Sequence, residues 1–240
     1  AIGEAVQVYR RLAETRPDAY LPDLASSLNN LSIRLGDLGR REEGLKAIRE
    51  AVQIRRRLAE TRPDAYLPDL ASSLNNLSIP LGDLGSREEG LEAIGEAVQV
   101  YRRLAETRPD AYLPDLASSL NNLSVRLGDL GRREEGLEAI GEAVQVYRRL
   151  AETRPDAYLP DLATSLNNLS IDLGDLGRRE EGLEAIREAV QVYRRLAETR
   201  PDRYRPQLAR SLRVLAQLLT NLNRPDEADN TRLEAEALDG

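Results

Sequence analysis

Four times in succession this chain repeats the run Leu-Asn-Asn-Leu-Ser, beginning at Leu28, Leu74, Leu120 and Leu166, always 46 residues apart. The pair Pro17-Asp18 keeps the same interval through Pro63, Pro109, Pro155 and Pro201. A fixed period of this length leaves few architectures open. Each unit is too small to bury its apolar face alone, so the units must stack on one another.

Two apolar stripes run through each unit. Leu24, Leu28, Leu31, Leu35 and Leu38 recur at steps of four and three. That spacing predicts an amphipathic helix, helix A, of about 16–18 residues. Asp18 is placed as its N-cap, Pro22 is tolerated near the first turn, and Leu35-Gly36-Asp37-Leu38-Gly39 ends it. Helix B opens on Arg41-Glu42-Glu43, whose carboxylates suit the positive end of the helix dipole. It carries Leu45, Ile48, Ala51, Val52, Ile54 and Leu58 before Thr61-Arg62-Pro63 stops it. Short turns between A and B make the unit an antiparallel hairpin.

The predicted fold class is therefore all-α, an α-solenoid of stacked helical hairpins forming one domain over 1–240. Full repeats span 18–63, 64–109, 110–155 and 156–201. A half repeat, helix B only, occupies 1–17. A degenerate repeat over 202–240, in which Asn167-Asn168 becomes Arg213-Val214, reads as a cap. Ala1-Ile2 align with Ala47-Ile48, inside helix B, so the chain is expected to be a fragment of a longer protein.

Composition narrows the function. Phe, Trp, Met, Cys and His are all absent, so the core must be aliphatic with nine Tyr for bulk. Without Cys or His there is no disulfide framework, no thiolate nucleophile and no imidazole base. Paired carboxylates such as Glu42-Glu43 look like solvated helix starts. No Gly-rich loop follows a strand to cradle phosphate. The expectation is no enzyme, no metal and no cofactor. A net charge of −7 argues against binding nucleic acid through its phosphates, and no apolar run is long enough for a membrane span. A cytoplasmic location is expected.

Leu28-x2-Leu31-Ser32-x2-Leu35, then Gly44-x3-Ile48, Ala51 and the closing Pro63, resembles the tetratricopeptide (TPR) pattern W-x2-L-G-x2-Y, A-x3-F, P. Leu stands for Trp, Ser for Gly and Gly for Ala, and the period is 46 rather than ~34 residues. The Leu-Asn-Asn-Leu core with an acidic helix B start is similar to the long TPR variety of kinesin light chains, and to arrays in large bacterial signalling proteins. The resemblance implies a right-handed superhelix with helices A lining a concave groove, and a role in binding peptides or proteins.

The face of helix A opposite the leucines carries Ser26, Asn29, Ile33 and Asp37. Its copies are Ser72, Asn75, Ile79, Asp83; Ser118, Asn121, Val125, Asp129; and Thr164, Asn167, Ile171, Asp175. In TPR proteins the corresponding positions line the groove, so these sixteen are the candidate peptide-binding residues. An Asn amide both donates and accepts, which suits it to gripping a peptide backbone. The same amides, and those of Asn30, Asn76, Asn122 and Asn168, could instead bond to neighbouring helices.

Four further expectations attach to single positions. Pro80 stands where other repeats have Arg34, Arg126 and Asp172, and predicts a bend or an early end to its helix. Tyr101, Tyr147 and Tyr193 lie on the helix B stripe and are expected to be half-buried with wet hydroxyls. Arg55 replaces that Tyr once, with a stem expected to snorkel. Tyr20, Tyr66, Tyr112 and Tyr158 begin helix A and are expected to pack on the preceding repeat.

The leading functional expectation is a peptide- or protein-binding scaffold, the sensor or regulatory arm of a larger bacterial protein. The alternative is a structural spacer or self-assembly module, associating with itself through the unpaired N-terminal helix around Ile2 and Val6.

Overall fold

The computed structural model describes residues 2–238, which form eleven α-helices joined by tight turns. Two compact units emerge from the packing. The first, ending at Leu130, holds α1 (Ile2–Thr15), α2 (Pro17–Asp37), α3 (Arg41–Thr61), α4 (Pro63–Asp83), α5 (Arg87–Thr107) and α6 (Pro109–Asp129). The second, from Gly131, holds α7 (Arg133–Thr153), α8 (Pro155–Asp175), α9 (Arg179–Thr199), α10 (Pro201–Asn221) and α11 (Pro225–Ala237).

Within each unit every helix packs on the next in sequence, and helices A touch each other at α2–α4, α4–α6 and α8–α10. The core is aliphatic. In the first unit Ala25, Leu28, Ile48, Ala51, Leu74 and Ile94 are almost wholly buried; in the second, Leu166, Ile186, Ala189 and Leu212 are. Each large aliphatic side chain so buried contributes ~1.5–3 kcal/mol.

Helix A is longer than its leucine stripe, at 21 residues rather than 16–18. It starts at Pro17, so Asp18 lies in the first turn and is not the N-cap. Arg16 is, with no side-chain capping bond. One extended residue thus both ends helix B and starts helix A, because the residue before a proline is pushed out of the helical region. Proline's missing N–H costs nothing at the first helical position. Leu38 also departs from the expected stripe. It caps α2 and is 72% exposed, since the chain has already left the helix there.

The A-to-B turn is a Schellman motif. Gly39 sits at φ 72°, its N–H bonds Gly36 O at 2.9 Å, and Arg40 N–H bonds Leu35 O at 2.8 Å. In the last repeat Asn223 takes the left-handed position at φ 60° with the same bonds.

Pro80 does not end its helix early. α4 runs from Pro63 to Asp83, the same 21 residues as α2. The proline lies in the last turn, and Leu74, Leu77 and Leu81 are buried on either side of it. Tertiary packing, more than local propensity, holds such a helix together.

Candidate functional site

Residues that a helical hairpin leaves between its two helices must be small. Gly44, Gly90 and Gly182 of helix B meet the backbone of helix A at Ser32, Ser78 and Ser170, and a Cβ on Gly182 would fall 2.9 Å from Ser170 O. The serines turn back on their own helix, with Ser32 Oγ donating to Asn29 O at 2.8 Å and Ser170 Oγ to Asn167 O at 2.7 Å. This close seam fixes which way the rest of helix A faces.

The Asn pairs link one repeat to the next. Asn29 Oδ1 accepts from Ser73 Oγ and from Asn76 Nδ2, both at 3.1 Å, and Asn75 Oδ1 accepts from Asn122 Nδ2 at 3.1 Å. Asn29 and Asn167 are buried, whereas Asn75 and Asn121 are half-buried. In the second unit the ladder runs out. Val214 occupies the place of the donating Asn, and Asn167 Oδ1 is buried without a partner.

The Ser26 column bonds towards its own helix B. Arg55 Nη2 lies 3.4 Å from Ser26 Oγ, Tyr101 bonds Ser72, and Tyr193 Oη lies 2.8 Å from Thr164 Oγ1. Ser118 is exposed. Tyr101, Tyr147 and Tyr193 are buried rather than half-wet. The Tyr101 and Tyr193 hydroxyls also reach Pro68 O and Pro160 O, both at 3.4 Å, and burial holds both hydroxyls protonated well above the usual range. Arg55 does not snorkel. It is buried, with Nη1 donating to Asp69 O at 2.8 Å and Ser73 Oγ at 2.5 Å, and burial lowers its pKa. Its neighbours offer acceptors inside the stack, which spares the stem from reaching out.

The aliphatic column faces solvent. Ile33, Ile79, Val125 and Ile171 are 46%, 44%, 37% and 39% exposed. Beside each lies an exposed carboxylate. Asp83 pairs with Arg41 at 3.6 Å, Asp175 with Arg133 at 3.4 Å, Asp37 with Arg34 at 3.5 Å and Asp129 with Arg126 at 3.4 Å. Apart from Arg126, whose side chain is largely buried, these are long, wet pairs that hold their partners weakly. In the first unit Ile33, Asp37, Ile79 and Asp83 converge on one pocket of about 270 Å³ between α2 and α4, with Asn76, Pro80 and Arg41 also in its wall.

Arg16, Arg62, Arg108 and Arg154 lie 4.9–5.2 Å from the ring centres of Tyr20, Tyr66, Tyr112 and Tyr158, across the B-to-A junctions. An arginine ladder on helices B went unnoticed in the sequence. Arg10–Glu50, Arg49–Glu89 and Arg56–Glu96 in the first unit, and Arg148–Glu188, Arg187–Glu227 and Arg194–Glu234 in the second, are all spaced by 40 residues. A period of 46 and a six-residue offset between partners could have found it. Among the described residues no cluster of three or more His, Cys, Asp or Glu could hold a metal ion. No helix there is long and apolar enough to cross a membrane.

A TPR family model, described as tetratricopeptide repeat, matches residues 24–64, 70–110, 116–156 and 162–202. The chain belongs to the tetratricopeptide repeat family. Its fold is similar to that of BtubC (BKLC) from P. vanneervenii, with a TM-score of 0.76 at 17% identity over 99% of this chain and 87% of that one. It is also similar to a Podosopora anserina protein described as a kinesin light chain with nearly identical TPR-like repeats. There the TM-score is 0.68 at 18% identity, over 91% and 96% of the two chains. MamA from Desulfovibrio magneticus RS-1 aligns at a TM-score of 0.53 and 17% identity, over 90% and 94%. No curated protein sequence matches the chain. Family and fold together make it a protein-interaction scaffold built of TPR hairpins.

Proposed function

We propose that the chain binds extended peptide segments of a protein partner on the exposed face of its A helices, as the sensor or regulatory arm of a larger protein. The observation that carries this reading is the aliphatic column. β-Branched residues are poor choices for a wet helix face, since they lose side-chain freedom and gain no burial. Yet this protein keeps one at the same solvent-facing position in four repeats, at Ile33, Ile79, Val125 and Ile171. A recurring exposed apolar position implies something that covers it. The flanking Asp37, Asp83, Asp129 and Asp175 favour a partner with basic groups, and the Asn amides exposed enough to reach it, such as Asn75, add backbone grip.

An array of immobilised twelve-residue peptides of random sequence tests it. The wild-type chain should capture a subset, and a variant with Ile33, Ile79, Val125 and Ile171 all changed to Lys should lose it. Capture unchanged by that variant would overturn the reading. Light scattering across a concentration series belongs in the same experiment, because a mass that rises with concentration, and falls in the Lys variant, would mean that copies of the chain cover the column instead.

A further inference from the structure

The residue three positions before the helix A aspartate varies among the repeats, and the structure shows what it does. Arg126 folds back over the preceding helix A, where a Cβ built on Gly82 would fall 1.3 Å from its Nη1. Leu218, at the same position in the second unit, lies over Gly174, with Cδ2 3.0 Å from such a Cβ. At these two positions the side chain is thus a plug that fills the hollow above the previous repeat's glycine. Pro80 is too short to be one. Nothing lies within 4 Å of a Cβ on Gly36, and the space that a longer residue would fill is the 270 Å³ pocket.

The pocket has a definite chemistry. Ile33, Ile79, Pro80, Gly36 and Gly44 give it apolar walls. Asp37 and Asp83 stand at its edge, Asp83 paired with Arg41 in the wall and Asp37 with Arg34 outside it. α2 and α4 present their C-terminal turns there, with partial negative charge, and α3 its first turn, with partial positive charge, so the net acidity comes from the two carboxylates. Pro80 has no N–H, so the Asn76 carbonyl lacks its ordinary donor four residues on and remains a ready acceptor. At about 270 Å³ the space falls below the ~300 Å³ at which small-molecule sites begin, which suits one side chain of a longer ligand.

We infer that Pro80 makes this hollow the specificity pocket of the peptide-binding face, taking a large aliphatic or aromatic side chain that has an arginine or lysine beside it. The inference rests on the proposed peptide-binding role and selects one point on it. The apolar side chain displaces water from Ile33 and Ile79. The adjacent cation sits between Asp37 and Asp83, whose present partners are distant and exposed.

The test uses the whole chain with its isoleucine δ1 methyls labelled with 13C, titrated with three peptides, acetyl-Gly-Leu-Arg-Gly-amide and its Gln and Glu counterparts. The Arg peptide should shift the Ile33 and Ile79 methyls saturably and leave Ile171 in place, and the Glu peptide should bind at least tenfold more weakly. Pro80→Arg restores the plug found at Arg126 and should abolish the shifts with the helical melting curve retained. Asp37→Asn should weaken the Arg peptide and bring it closer to the Gln peptide. No shift with any peptide, equal binding of Arg and Glu peptides, or shifts that survive Pro80→Arg would each overturn the inference. A wild-type array signal that persists in Pro80→Arg would sink this pocket alone, whereas one that persists in the four-Lys variant would sink the peptide-binding face itself.

Discussion

Asn29 Oδ1 and Asn76 Nδ2, 47 residues apart, are joined by a 3.1 Å hydrogen bond that passes from one repeat's helix A to the next. Ser73 Oγ donates to the same oxygen and itself accepts from the buried Arg55, so α2, α3 and α4 share one polar chain. Removing a donor from such a chain leaves a buried acceptor short. Asn76→Leu should cost ~1–2 kcal/mol in urea unfolding. Val214→Asn offers the missing donor to Asn167 Oδ1 and should gain ~1 kcal/mol. If the second change destabilises, the amide ladder is not what sets the register of these repeats.

Arg55 keeps a charge where other repeats bury a tyrosine. Burial lowers its pKa against the opposing charge of Asp69, and among the described residues it has backbone and hydroxyl acceptors but no carboxylate within ion-pair distance. Arg55→Tyr should be neutral or stabilising, because a hydroxyl can meet Ser26 as Tyr101 meets Ser72. Arg55→Ala removes the stem and strands Ser73 and Asp69 O, and should lose ~2–4 kcal/mol. A loss of similar size in both variants would refute this account.

Asp172 titrates against its surroundings. Burial first, and Asp175 second, push its pKa up to about 6, with Arg133 opposing them, and its Oδ2 is buried without a partner. Because the folded chain holds that proton more tightly than the unfolded chain, the contribution to stability is fully present below pH ~4 and is lost as pH rises through about 6. Asp172→Asn should abolish that slope and stabilise the protein at neutral pH by ~1 kcal/mol, the shift being discounted for solvent screening. Comparing unfolding of the two proteins from pH 4 to 7.5 checks it, and parallel curves would contradict it.

Two glycines of helix B should respond in opposite directions. Gly95 has open space around a built Cβ, so Gly95→Ala should stabilise by ~0.5–1 kcal/mol through helix propensity. Gly182 meets Ser170 O at 2.9 Å, and Gly182→Ala must push α8 and α9 apart, for a net loss of ~1–3 kcal/mol. Thermal melts of the two variants give the signs directly.

The class of fold, the hairpin unit and the turn chemistry were legible in the sequence because each is local. Leu24, Leu28 and Leu35 name their buried face by spacing alone, and Gly39 announces a left-handed cap that few other residues adopt. The family resemblance was legible for the same reason, since repetition multiplies a weak motif. What tertiary structure decided were the meetings of one repeat with the next. Asn29 could have faced a ligand or Asn76, Arg55 could have reached water or Ser73, and Pro80 could have broken α4 or merely left Gly36 uncovered. In each case two outcomes are physically acceptable, and only the offset between successive repeats, set where one helix A packs on the next, selects one.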